Sequence, residues 1–339
     1  SRRRAAIIAV VALVFVGIGY GAYRAQRVSL EPTPPLRPLE ASELAAYLER
    51  DQIRAGTHAA MFALPPNVGD WSDEPAELAT QLHGRSSRWS LERALPREVL
   101  SADQTLALLR AREGRVELYP LELATAMTAL LRTKDVDAMV AEVWAFGSEQ
   151  APVDPSGMLG YFIVAVLDPA SGEPSAYYDP WGGRGEVSPA GVRTLRDTEA
   201  IGAALGTEAT RVFTRSGDGA KALQMTETAL ALDAVSPSLR VVHATVLIDS
   251  GGPPQALQEL EAAIQLRDDA PRQLNMAQLM LAQAGMLAAN GEGAAAEAAL
   301  TEANQVVAAL VEQSPQYARG HLTLATIHLG LAEVERARV

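Results

Sequence analysis

Two stretches of this sequence, GDGAKALQMTETALALD from Gly217 and GGPPQALQELEAAIQLR from Gly251, align without a gap at a constant offset of 34 residues. Gly217 matches Gly251, Ala222 matches Ala256, Leu223 matches Leu257, Ala229 matches Ala263 and Leu232 matches Leu266. A fixed period of this kind constrains the architecture strongly. Each unit is one supersecondary block that cannot bury its apolar face alone, so successive units must stack. The recurring alanines put small side chains where paired helices approach closely. Low aromatic content, 5% of the chain, fits helices packed through small residues. Near the end, SPQYARGHLTLATIHLGLAEVERA places Pro315, Leu324, Ala325 and Ala337 at the spacing expected of another unit's first helix. The segment between is longer and out of register. The predicted repeat-packing positions are therefore Gly217, Ala222, Ala229, Gly251, Ala256, Ala263, Ala325 and Ala337, in an all-helical region over 196–339.

The other end of the chain carries a different signal. SRRR precedes AAIIAVVALVFVGIGYGAY, Ala5 to Tyr23, which has no charged residue. At about 1.5 Å per residue such a helix just spans a hydrocarbon core. It is longer than a signal-peptide core and lacks a small-residue cleavage pattern. Residues 1–28 are thus read as a single transmembrane anchor and 29–41, which include SLEPTPPLRPLE, as a proline-rich spacer. Arg2, Arg3 and Arg4 favour an N-terminus in the cytoplasm, with Arg24 and Arg27 opposing the bias from the other side; the reversed topology, a cytoplasm-facing adaptor, is the alternative. The soluble bulk is then expected in the periplasm, at the inner membrane of a bacterial cell. Gly17 and Gly21 are spaced as a GxxxG, read as chance.

Between anchor and repeats, residues 42–195 read as α+β. ASELAAYLERDQIRAG puts Leu44, Tyr47 and Leu48 on one helix face behind Ser42 as a cap. A further helix is expected over Ala76–Leu82, and another after Ser101. YPLELATAMTALLRTKD begins with Pro120, suited to a first helical turn, and repeats Leu123, Met127, Leu130 and Leu131 at helical spacing. VDAMVAEVWAF and GYFIVAVLD read as strands; PASGEP is a turn and SAYYDPW the return strand.

Two resemblances attach to these residues. The 34-residue period with small residues at the helix contacts resembles the tetratricopeptide repeat, over about residues 198–339. That resemblance implies a concave surface for a peptide or protein partner. The usual aromatic positions of that family are mostly missing here. The block over about 100–190 resembles the transglutaminase-like fold. Family members place a nucleophilic cysteine at the start of a helix reading Cys-x-E/D-x-A…LLR. Here Glu122, Ala124 and Leu130-Leu131-Arg132 match, which puts Pro120 at the cysteine position. The family's next strand starts with a histidine and the following one ends in Asp-Pro. This sequence has Tyr161 at the histidine position and Asp179 at the aspartate position.

The resemblance thus implies a site with one of three catalytic residues kept. A thiolate mechanism needs a nucleophile, a base and a group to orient the base. Pro120 has no nucleophilic atom and no N–H. Tyr161, with an ordinary pKa of about 10, is a poor base near neutrality. The chain has no cysteine to substitute from elsewhere. An inactive domain is expected, with Pro120, Tyr161 and Asp179 as remnant positions. Tyr161, Tyr177, Tyr178 and Trp181 are then either core or, if exposed, an aromatic docking patch.

Other classes find little support. A net charge of −12 argues against a nucleic-acid surface. GGRG at Gly182–Gly185 lacks the strand-before, helix-after context of a phosphate loop, and no cofactor is expected. The histidines, His58, His83, His243, His321 and His328, have no carboxylate cluster with them, so no metal site is expected. HGRSSRWSLER is locally basic and reads as a solvated face. From residue 195 onward 17 acidic residues stand against 10 basic ones, which favours a neutral or somewhat basic protein partner. The expected role is a membrane-anchored, non-enzymatic scaffold or accessory subunit of an envelope complex. The competing class is a membrane-bound peptidase or acyltransferase with an unorthodox nucleophile.

Overall fold

The computed structural model describes residues 36–50, 55–64, 68, 70–88, 97–111, 115–146, 153, 160–249 and 253–336. The chain is mixed α/β, 63% helical, with a small antiparallel sheet. The expected anchor, Ala5 to Tyr23, lies outside the described residues. Among the described residues no helix is long and apolar enough to cross a membrane.

Helix α1 (Ala41–Arg50) buries Leu44 and Leu48, the face its spacing predicts. It starts one residue ahead of Ser42, and the Glu40 N–H donates to the Glu43 carboxylate at 3.1 Å. Helix α2 (Pro75–Arg85) has its proline in the first turn, where no N–H is needed. Helix α3 (Ala102–Ala111) is capped by Ser101. Its hydroxyl accepts from the Gln104 N–H at 3.4 Å and its own N–H donates to the Gln104 side chain at 3.0 Å. Helix α4 (Pro120–Arg132) is the centre of the α+β region. Every residue from Pro120 to Leu131 is buried, because Leu, Met, Ala and Thr surround it on all sides.

Strand β1 (Ser86–Arg88) pairs in parallel with β2 (Val116–Leu118). The main sheet comprises β3 (Ala138–Phe146), β4 (Tyr161–Leu167), β5 (Pro174–Asp179), β6 (Arg184–Val187) and β7 (Pro189–Thr194), in the order β6-β5-β4-β3-β7 and antiparallel throughout. The last two strands are additions to the expected hairpin. Only Ser188 separates β6 from β7, yet they occupy opposite ends of the strand order. One residue spans under about 4 Å, so the sheet coils until its edges meet at Ser188, close to a barrel. Register shifts beside Ala145, Leu167 and Asp179 supply the bends that this coiling needs.

The change at residue 195 coincides with the start of the helical region. Helices α5 (Asp197–Ser216) and α6 (Gly219–Leu232), α7 (Pro237–Asp249) and α8 (Pro253–Leu266), and α9 (Ala270–Ala289) and α10 (Gly293–Gln313) form successive hairpins, and α11 (Ala318–Arg336) packs on α10. One apolar core runs from Leu39 through the sheet and on to Ile201, Leu230 and Leu239. The sheet and the first helical hairpin therefore share a core. Two smaller clusters fill the later hairpins.

Candidate functional site

Pro120, Tyr161 and Asp179 converge on one corner of the fold. Pro120 is the first residue of α4, Tyr161 opens β4 and Asp179 closes β5. The Tyr161 hydroxyl donates to Asp179 Oδ2 at 2.8 Å. The Gly182 N–H donates to Asp179 Oδ1 at 2.7 Å. The start of α4 is tied to the same corner by its flanks. Tyr119 donates its hydroxyl proton to the Gly160 carbonyl at 3.0 Å, and Trp181 Nε1–H donates to the Leu118 carbonyl at 2.9 Å. The Trp181 ring meets the Tyr161 ring edge-on, with centroids 5.3 Å apart.

The chemistry of this corner follows from burial. Asp179 is fully buried, and burial raises its pKa against the opposing pull of the Gly182 N–H, Tyr161, Arg184 and Arg88. Burial first, then the charge and hydrogen bond of Asp179, raise the pKa of the Tyr161 phenol. A phenol held neutral is a proton donor and cannot serve as a base. Pro120 brings no N–H to the helix start. The arrangement works as a hydrogen-bonded lock between β4, β5 and the turn after them. Gly182 is part of it: a Cβ there would lie 2.0 Å from Asp179 Oδ2. This close approach accounts for one glycine of the GGRG stretch without a phosphate ligand.

The aromatic patch needs correction. Tyr161 and Trp181 are core residues, 7% and 8% exposed. Trp181 is closed over by Arg88, whose guanidinium lies 5.4 Å from the ring and donates to the Gly182 carbonyl at 2.7 Å. His83 Nδ1–H donates to the Trp181 carbonyl at 3.1 Å. Tyr177 and Tyr178 are half-buried against the same core. Two of the four rings, Tyr161 and Trp181, are therefore part of the core and do not form an exposed docking patch.

Beside the helix start, Glu122 is wholly buried and saturated with donors. It accepts from the Tyr119 N–H at 2.9 Å, the Leu100 N–H at 3.0 Å and the forked Arg97 guanidinium. At the other end of α4, Arg132 forks onto Asp197 at 2.7 and 2.9 Å, joining α4 to the first turn of α5.

A second polar seam, unforeseen in the sequence, joins the sheet to the repeats. Arg193 on β7 forks onto Asp233 at 2.5 and 2.8 Å and reaches Glu142 on β3 at 3.4 Å. The Ser238 hydroxyl, at the start of α7, donates to Glu142 at 2.7 Å. Arg272 on α9 donates to Ser238 at 3.1 Å and to Asp269 at 2.5 Å. Burial alone would raise the Glu142 pKa, but Arg193, Arg267, the Ser238 hydroxyl and Arg272 outweigh it and hold the carboxyl low. Burial likewise opposes the charge of Arg193, and Asp233 with Glu142 more than restores it. The signal was a lone Glu within the apolar run AMVAEV, which marks a buried charge needing a partner.

The repeat positions divide. Ala222, Ala229, Ala256 and Ala263 are all fully buried on α6 and α8. Gly217 is not a packing residue: it is exposed and ends α5 in the left-handed conformation, φ 66°, the usual place for a C-terminal glycine. Ala325 is exposed on α11, whose buried side carries Gly320, Thr323 and Ile327. Gly251 and Ala337 lie outside the described residues. Ala296 and Ala303 on α10 were missed. They are fully buried and seven apart, like Ala222/Ala229 and Ala256/Ala263. A gapless search at 34 cannot find them, because α9 and α10 have 20 and 21 residues where α7 and α8 have 13 and 14.

The histidines serve packing and capping. His58 is buried, which lowers its pKa, and His243 Nδ1 lies 2.8 Å from the Thr226 hydroxyl. His321 donates to the Pro315 carbonyl and His328 to Asn304, each at 2.9 Å. Among the described residues no group of His, Asp and Glu is placed to hold a metal ion.

Fold and site together define a mixed α/β chain whose coiled sheet carries a buried Tyr–Asp lock and continues into stacked helical hairpins. Compared with protein-family models, curated proteins and solved structures, the chain gives no match.

Proposed function

We propose that this chain is a membrane-anchored, non-enzymatic scaffold or accessory subunit of an envelope protein complex. Its central region is a transglutaminase-like domain that has lost its chemistry, and its tetratricopeptide-like helices hold partner subunits. The observation that carries the reading is the Tyr161–Asp179 hydrogen bond beside Pro120. It supports inactivity because the aspartate accepts from a neutral phenol where an active site would need it to orient a base. The buried seam from Glu142 to Arg272 supports a scaffold role, since it ties the sheet to α7 and, through Ser238, to α9. The apolar stretch Ala5 to Tyr23 supports the anchor, with the soluble part in the periplasm. The acidic balance after residue 195 supports a neutral or basic partner.

Affinity purification of the full chain from membranes tests the reading. The expected result is a reproducible set of co-purifying subunits that is lost when the repeats are disrupted by Ala256→Asp. A chain that purifies alone and turns over amine- or peptide-transfer substrates would mean the enzyme class instead.

A further inference from the structure

The outward side of α11 carries an apolar stripe. Ala318, Leu322, Ala325, Leu329 and Ala332 are all exposed, Leu322 by 71% and Leu329 by 57%. Their spacing alternates four and three residues, the a/d spacing of a helix that pairs with another helix. At 3.6 residues per turn they fall on one narrow line, opposite the buried Gly320, Thr323 and Ile327. Leucine alternates with alanine along it. The small side chain every seventh residue lets a partner helix approach closely, and the leucines fill the gaps.

The stripe also reads the same from either end. A two-fold axis midway between Ala325 and Thr326, perpendicular to the helix, sets Leu322 opposite Leu329 of a second copy. It sets Ala318 opposite Ala332 within one residue. The same register aligns the charges. Arg319, Thr326 and Glu333 are seven apart on one flank of the stripe, basic at the start and acidic at the end. Antiparallel pairing puts the two charged flanks on the same side and brings Arg319 of one copy to Glu333 of the other, whereas parallel pairing puts them on opposite sides of the seam, where Arg319 and Glu333 do not meet. Antiparallel helix dipoles also oppose favourably. We propose that α11 is a homodimer interface in which two copies pair antiparallel along this stripe. The self-complementary size pattern and charge order single out a second copy over an unrelated helix.

The absence of native cysteine makes a direct test clean. Full-length Leu322→Cys and Leu329→Cys chains carrying different tags are mixed in detergent and oxidised. The expected product is a disulfide-linked dimer bearing both tags. In the antiparallel register two copies of the same cysteine sit seven residues apart along the helix, about 10 Å, beyond the roughly 7 Å Cα limit for a disulfide. Same-tag dimers are therefore expected to be absent. Light scattering of the cysteine-free full chain should give a mass that halves in Ala325→Glu, with helix content unchanged by circular dichroism. Same-tag dimers in excess, no cross-link at all, or a mass unaffected by Ala325→Glu would each overturn the proposal.

Discussion

Tyr161→Phe removes one oxygen from the core and nothing else. The ring contacts to Trp181 and Phe146 remain. What is lost is the sole donor to Asp179 Oδ2 within the described geometry, while Oδ1 keeps the Gly182 N–H. Asp179 is fully buried, so water has no direct access to replace the phenol. A hydrogen bond to a charged group contributes about 1.5–3 kcal/mol, and leaving its acceptor unpaired in the interior costs at least as much. With a urea dependence of roughly 3 kcal/mol per molar for a chain of this size, the unfolding midpoint should fall by about 0.5–1 M. Tyr178→Phe is the control. Tyr178 is half-buried, and its change should stay within about 0.5 kcal/mol. Chemical denaturation followed by far-ultraviolet circular dichroism measures both. Equal midpoints for wild type and Tyr161→Phe would refute the lock, as would a loss in Tyr178→Phe matching that in Tyr161→Phe.

Tyr161 should also set an alkaline limit. Its phenol has a raised pKa in the fold, so its contribution is fully present below the ordinary tyrosine value and is lost as pH rises above it. Tyr178 is raised as well, by burial first and then by Glu186 and Glu74, so ultraviolet titration should show a deficit of tyrosines ionising near pH 10 that shrinks by one in Tyr161→Phe; an unchanged deficit in the variant would contradict the burial. Arg193→Met leaves Glu142 and Asp233 buried without their shared counter-charge and should cost about 3–5 kcal/mol by calorimetry. A negligible loss would mean the seam is dispensable. Ala303→Leu overpacks the α10 contact and should cost about 1–3 kcal/mol, whereas Ala298→Leu, on the exposed side of the same helix, should not destabilise the fold. Thermal melts that failed to separate these two would undo the packing assignment.

The parts of the fold that were legible in the sequence are the local ones. The α4 pattern, its proline start and the strands β3, β4 and β5 follow from periodicity and turn residues. Strands β6 and β7 escaped because RGEV and PAGVRT are short and carry Gly or Pro; β6 forms a local hairpin with β5 through Tyr178, and β7 is held as a strand by the distant β3 through Val143. The third alanine pair escaped because longer helices shift its offset from 34 to 40 residues. The polar seam is non-local: Glu142, Arg193, Ser238 and Arg272 span 130 positions, and only the fold brings them together. Pro120, Tyr161 and Asp179 could be singled out in the sequence, but the fate of the aromatics could not. Tyr161 and Trp181 look alike in sequence whether they face a partner or one another, and burial decided it.

The central claim is that the corner formed by Pro120, Tyr161 and Asp179 holds a fold together and performs no chemistry. Turnover of purified full-length chain over a panel of amine- and peptide-transfer substrates, compared with Asp179→Asn, tests it most directly. Wild type should give no product above the variant, while the variant should lose stability. Product formed by wild type and abolished in a folded Asp179→Asn would contradict it.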